Sequence, residues 1–253
     1  MQTEDLVKAK TLSEKIAHEC GVPRFFREQK VYIDASSRLL EEHPLVASCI
    51  RILTAGANVS GHGFSHSRKV ARDAGAIVMI ERGTADEAER LATLAHIAGI
   101  LHDIKRSSKD HARLGAEEAK TILKEFDLTH TEQEAVVGAI RNHEAFQPCF
   151  PLNDPDSQFL SDTLYDADKF RWGPDNFTEM LWDIAETRHV SVETLISFFP
   201  SGLESLRKIR STFRTKTGKR YGPDFIDRGL RIGERLYGAL RDAFPQTLNS
   251  SGD

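Results

Sequence analysis

The chain has 253 residues, 40% of them hydrophobic, with 34 basic against 38 acidic side chains and a formal charge of -4. That length supports one large domain, or a domain with an extension, and the acidic balance argues against general nucleic-acid coating, which needs clustered positive charge. Three scattered cysteines (Cys20, Cys49, Cys149) fit neither a disulfide framework nor a zinc-finger spacing, the N-terminus lacks an apolar signal core, and no apolar run approaches the ~20 residues that span a bilayer. The expectation is a cytoplasmic protein with reduced thiols and no membrane contact.

Apolar residues recur at helical spacing nearly throughout, and no strand alternation stands out, so the expected class is all-α. Helices over 6–20, 25–41 and 45–57 make an N-terminal extension covering 1–60. Gly56 and then Gly61-His62-Gly63 punctuate the chain, after which Ser65 can cap a helix running from His66 to Glu81. Thr84 or Asp86 can cap the next helix, whose apolar stretch closes at the pair His102-Asp103. A polar, mostly basic loop over 105–110 leads to helices over 111–126 and 131–144. A proline-bearing loop over 147–157 precedes a helix over 157–170. The core region is expected over 61–175. Beyond the break at Gly173-Pro174, helices over 176–187, 191–213 and 223–243 form C-terminal helices of the same domain over 176–245, and 246–253 reads as a flexible tail.

Four of these helices place an ionisable residue at the end of an apolar stripe. Leu91, Ala95, Ala98 and His102 lie along one side of a helix, as do His66, Val70, Ala74 and Ile77 on the one before. Val136, Ile140 and His143 repeat the pattern, and so do Leu160, Leu164 and Asp168. Isolated polar groups in a core cost a few kcal/mol each, and more when charged. A shared divalent metal makes their burial favourable by neutralising carboxylates and occupying imidazole lone pairs. Mixed nitrogen and oxygen donors suit a divalent transition metal, with manganese, iron, nickel and zinc all compatible, and magnesium a further candidate. Asp166 lies two residues from Asp168, on nearly the opposite side of the helix. Only Asp168 continues the Leu164 line, so Asp166 is expected to orient a neighbour or cap a helix.

The order His66, His102-Asp103, Asp168 resembles the HD superfamily of metal-dependent phosphohydrolases. His66-Ser67-Arg68-Lys69-Val70 is similar to the HxxRV-type first helix, Leu101-His102-Asp103-Ile104 to the signature pair, and Tyr165-Asp166-Ala167-Asp168-Lys169-Phe170 to the DADRL-type terminal segment. The resemblance implies an α-helical HD-like bundle in which His66, His102, Asp103 and Asp168 hold one metal, and hydrolysis of a phosphate ester or anhydride. His111, opening an HxxxG-like start, and His143, in Asn142-His143-Glu144, have counterparts in the binuclear branch of that superfamily. They would hold a second ion, or else bind phosphate or donate protons. Asn142 stands where that branch has another histidine, and the GYP tripeptide is missing, which argues against cyclic-dinucleotide hydrolysis.

On this reading the substrate is a small phosphorylated compound such as a nucleotide. Asp103 is the candidate to orient or deprotonate the attacking water. Lys169 and Lys105, beside ligands in sequence, are candidates to hold phosphate oxygens; for Arg106, solvated surface is the preferred reading. His62 can line the pocket mouth. The basic residues between Arg207 and Arg220 either draw in an anionic substrate or form a solvated helix end, the simpler reading. Two other classes stay open: an HD-type di-iron oxygenase, and a metal-binding signalling module without turnover.

Overall fold

The computed structural model describes residues 2–55 and 61–245, which are largely helical and contain no strand. In chain order the helices are α1 (Gln2–Cys20), α2 (Arg24–Glu28), α3 (Lys30–Glu42), α4 (Pro44–Ala55), α5 (Gly61–Arg82), α6 (Asp86–Leu101), α7 (His111–Ile122), α8 (His130–Arg141), α9 (Pro155–Phe170), α10 (Leu181–Thr187), α11 (Val192–Ile209) and α12 (Lys216–Ala243). A 3-10 turn follows α7 and a π-helical turn precedes α10. None of the described helices is long and apolar enough to cross a membrane. The tail expected over 246–253 and the Gly56 break lie outside the described residues, as does the side chain of His62.

Several boundaries differ from those expected. The helix expected over 25–41 is broken at Gln29 (φ -112°, ψ 19°). The Gln29 and Ile33 amides still reach the carbonyls of Phe25 and Gln29, so the chain keeps helical backbone bonds on both sides of the break. Ser65 caps nothing, because α5 already begins at Gly61. Neither Thr84 nor Asp86 is the cap of α6. The cap position is Ala85, without a side-chain bond, and Asp86, Glu87 and Glu89 instead lie in the first turn, where the helix dipole favours acids. Thr129 caps α8 in a reciprocal box with Glu132, so that helix starts earlier than expected. At the C-terminal end, α11 stops at Ile209 and α12 starts at Lys216, running through Pro223. A cap fixes that start: the Gly218 amide donates to Thr215 Oγ1.

The described chain divides into two compact units. One comprises the described parts of Met1–Arg24, Phe170–Thr212 and Tyr221–Asp253. Its helices pack around Phe177, whose carbonyl accepts from the Ser13 hydroxyl and, at 2.6 Å, from the Trp182 indole. The other unit comprises the described parts of Phe25–Lys169 and Phe213–Arg220. Its centre is α6, buried on every side from Ala92 to Leu101 against α3, α4, α5 and α8, where the sequence pattern suggested a single buried stripe. The α5–α6 contact is close because Gly99 has no side chain. A Cβ there would lie 2.5 Å from the Ala71 Cα, closer than real Cβ contacts come. That approach brings the first turns of α5 alongside the C-terminal end of α6.

Candidate metal centre

Six donors from five helices meet at the ends of those helices. His66 lies near the start of α5, His102 caps the C-terminal end of α6 with Asp103 next to it, and His111 opens α7. His143 follows the end of α8, and Asp168 sits in the last turn of α9. His102 and His143 are fully buried and Asp168 nearly so. The carbonyl-rich ends of α6, α8 and α9 all favour positive charge nearby.

The donors form two groups sharing one carboxylate. His66, His102 and Asp103 offer ligand atoms within 4.8 Å of one another, as do Asp103, His111 and His143. His66 Nε2 is 3.3 Å from His102 Nε2 and 3.3 Å from Asp168 Oδ1. Asp103 turns Oδ2 to this side, 3.4 Å from His102 Nε2, and Oδ1 to the other, 3.6 Å from His143 Nε2 and 3.8 Å from His111 Nε2. Ligands about 2.0–2.2 Å from a metal stand about 3.0–3.6 Å from each other, which is the spacing of most of these pairs.

Hydrogen bonding leaves the inward nitrogens available. His102 Nδ1 lies 2.8 Å from the Gly99 carbonyl and His143 Nδ1 2.6 Å from the Ile140 carbonyl. A carbonyl only accepts, so Nδ1 carries the hydrogen in both rings and, in the neutral form, Nε2 presents a lone pair. His143 Nε2 is buried and has no hydrogen-bond partner. An orphaned buried nitrogen aimed at a carboxylate oxygen is a poor arrangement without a cation and a good one with it. These residues therefore fit a divalent metal with nitrogen and oxygen ligands.

The charges agree with that fit. Burial pushes the Asp103 carboxyl up, but His102, His143 and Arg106 outweigh it and hold the group well below the usual carboxylate range. Burial likewise opposes ionisation of Asp168, yet Lys169, His66 and His102 hold it well below that range. At His102 burial pulls the imidazole down, and Asp103, Asp168 and the Gly99 carbonyl more than offset this, leaving it above the ordinary value. Burial lowers His111, with Asp103 pulling the other way.

Asp168 faces the histidines and Asp166 does not. Asp166 accepts from the Arg214 amide at 2.9 Å and from the Thr215 amide and hydroxyl at 2.8 Å each, and burial pushes its carboxyl up to about 7 against those donors. Lys169 is buried, with Nζ 2.5 Å from Asp168 Oδ2, so it holds a ligand candidate in place.

Lys105, expected to hold phosphate oxygens, turns away from the centre. Its ammonium pairs with Glu118 on α7 at 3.4 Å. Arg106, read from sequence as solvated surface, is exposed and also lies 3.3 Å from Asp103 Oδ2. The reason is the tight turn after α6, where Arg106 N donates to the Asp103 carbonyl. Three-residue turns stack i and i+3 on one side, so Asp103 and Arg106 face together and Lys105 turns away. Asn142 is structural: its amide both donates to and accepts from the Phe150 backbone, pinning the loop after His143.

Compared with known families, residues 63–170 match the family model described as HD domain. That stretch is an HD domain. It contains all six donors, and the match suggests metal-dependent, hydrolase-type activity. No curated protein and no solved structure matches the chain.

Proposed function

We propose that the protein is a metal-dependent phosphohydrolase acting on a nucleotide or another small phosphate ester or anhydride. The observation that carries this reading is Asp103, whose two oxygens face separate groups of histidines, one of them ending in the partnerless His143 Nε2. His66, His102, Asp103 and Asp168 would hold one ion; Asp103, His111 and His143 would hold a second. A divalent metal supplies Lewis acidity toward a phosphoryl oxygen and makes a water acidic enough to attack.

The chain's own groups do the rest. Asp103 orients the water and takes its proton, being both ionised and central. The i−3 carbonyls of Gly99 and Ile140 fix the His102 and His143 rings. Lys169 compensates the buried Asp168 charge, and Arg106, more than half exposed, presents its guanidinium toward phosphate oxygens on the open side. Lys105 takes no part.

The test is a panel of phosphomonoesters, phosphodiesters and nucleoside triphosphates, assayed without oxygen using protein loaded in turn with manganese, iron, nickel, zinc and magnesium. Phosphate or pyrophosphate release that a chelator abolishes supports the reading. Full metal content with no release from any substrate overturns it. The shared carboxylate also suits a di-iron oxygenase, which would show as oxygen consumption by the iron form alone.

A further inference from the structure

The basic residues between Arg207 and Arg220 look alike in sequence, and the structure sorts them. Arg207 pairs with Glu234 at 2.9 Å, Arg210 with Asp227 at 2.7 Å, and Arg220 with Glu28 at 3.5 Å, all of them exposed. These charges are offset at the surface. Arg214 is more buried, with a side chain one-fifth exposed.

Its backbone is anchored, because Asp166 accepts from the Arg214 amide and from Thr215. Gly218 lets this segment close on Asp166, since a Cβ there would fall 1.9 Å from Asp166 Oδ2. Residues 213–220 accordingly belong to the same compact unit as the six metal donors, although they follow the HD domain by more than forty positions in the chain. The Arg214 guanidinium carbon lies 3.6 Å from the centroid of the Tyr165 ring. Lys169 Nζ is 5.1 Å from the same centroid and bonds Asp168. Arg214 Nη1 is 3.4 Å from the carbonyl of Asn142, the residue before His143. The Arg214 guanidinium therefore touches the backbone of the residue before His143 and shares the Tyr165 ring with Lys169, the partner of Asp168.

The charges there are unevenly matched. Arg106 is 3.3 Å from Asp103 and Lys169 2.5 Å from Asp168, so both also pair with carboxylates of the centre itself. The carboxylate paired with the Arg214 guanidinium is Asp162, 3.8 Å from Nη1, and among the described residues Nε and Nη2 make no hydrogen bond. A guanidinium whose carbon lies over a ring, one-fifth exposed and with half its fork unused, suits bidentate binding of a phosphate.

We propose that Arg214 is a phosphate-binding residue of this centre, gripping non-bridging oxygens of the substrate from a segment outside the HD domain. The proposal rests on the phosphohydrolase reading. It predicts that recognition of the anion depends on the anchored 213–220 segment as well as on the metal donors.

The experiment measures binding of inorganic phosphate to the manganese-loaded full chain by calorimetry. Arg214→Gln should weaken phosphate binding at least about tenfold, with manganese stoichiometry and melting temperature near wild type. Arg214→Lys, which keeps the charge over Tyr165 but loses the fork, should recover part of the affinity. Arg210→Gln should bind as wild type does. The proposal is overturned if Arg214→Gln binds phosphate as tightly as wild type, or if both Arg214 variants lose manganese and melt early, which would make the residue a structural staple. It is overturned equally if manganese-loaded wild type takes up no phosphate. Wild type that binds no manganese strikes the metal reading first.

Discussion

His96 and His102 are both fully buried, one in the middle of α6 and one at its C-terminal end, yet their surroundings differ sharply. His96 Nε2 lies 2.8 Å from Ser36 Oγ, whose hydroxyl donates to the Arg72 carbonyl, and Gly75 leaves the space the ring occupies. Among the described residues no carboxylate faces it and Nδ1 has no hydrogen-bond partner, and burial, with a lesser push from His43, drives its pKa down to about 3. His102 has the same burial but two carboxylates and a second imidazole at its inner nitrogen. Burial is thus shared by a core histidine and a ligand candidate. What separates them is the set of groups brought in by other helices.

His102→Ala should lower metal affinity by more than the ~10–100-fold seen for outer partners, because a direct donor is lost, and activity should fall with it. A titration calorimeter checks the affinity, and an unchanged constant would put the site elsewhere.

Next in size are the two aspartates of α9. Asp168→Asn should cost metal binding nearly as much as His102→Ala. Asp166→Asn should lower metal affinity by ~10-fold or less and act mainly on stability, through the Arg214–Thr215 anchor. A reversed ranking under saturating metal would move the ligand to Asp166.

A smaller, stoichiometric effect is expected on the other side of Asp103. His111→Ala and His143→Ala should each lose one equivalent of metal while the His66 side keeps its own. Unchanged stoichiometry with reduced turnover would make them phosphate ligands or proton donors instead.

The smallest effect belongs to His96 and concerns stability alone. Its folded pKa is depressed from 6.5 to about 3, so the unfolded chain gains a proton before the folded one. Its contribution is fully present above the unfolded value and fades as pH falls from 6.5 toward 3, by about 2 kcal/mol at about pH 5. His96→Gln, which cannot charge, should flatten that slope in denaturant unfolding and leave metal content alone. A metal loss in this variant would erase the contrast with His102.

Much of the centre was legible because its signals are local. Helical phase separates Asp168 from Asp166, and the ends of apolar stripes mark His66, His102 and His143. Other features depend on geometry that periodicity does not carry. The three-residue turn after α6 exchanges Arg106 for Lys105, and nothing in a run of basic residues shows which one meets a carboxylate. The return of Arg214 and Thr215 to Asp166 is a long-range contact whose only local trace was a basic stretch without acids. The α5–α6 approach rests on Gly99 meeting Ala71, two small residues that a hydrophobic pattern treats as filler. Thr129 and Glu132 did carry the capping-box spacing, and that signal could have set the start of α8.

Elemental analysis of the 253-residue chain, stripped with chelator and then dialysed against manganese, tests the central claim most directly. The account predicts saturable uptake of one or two equivalents per chain. Uptake of only a trace, by protein whose melting curve shows it to be folded, would contradict it.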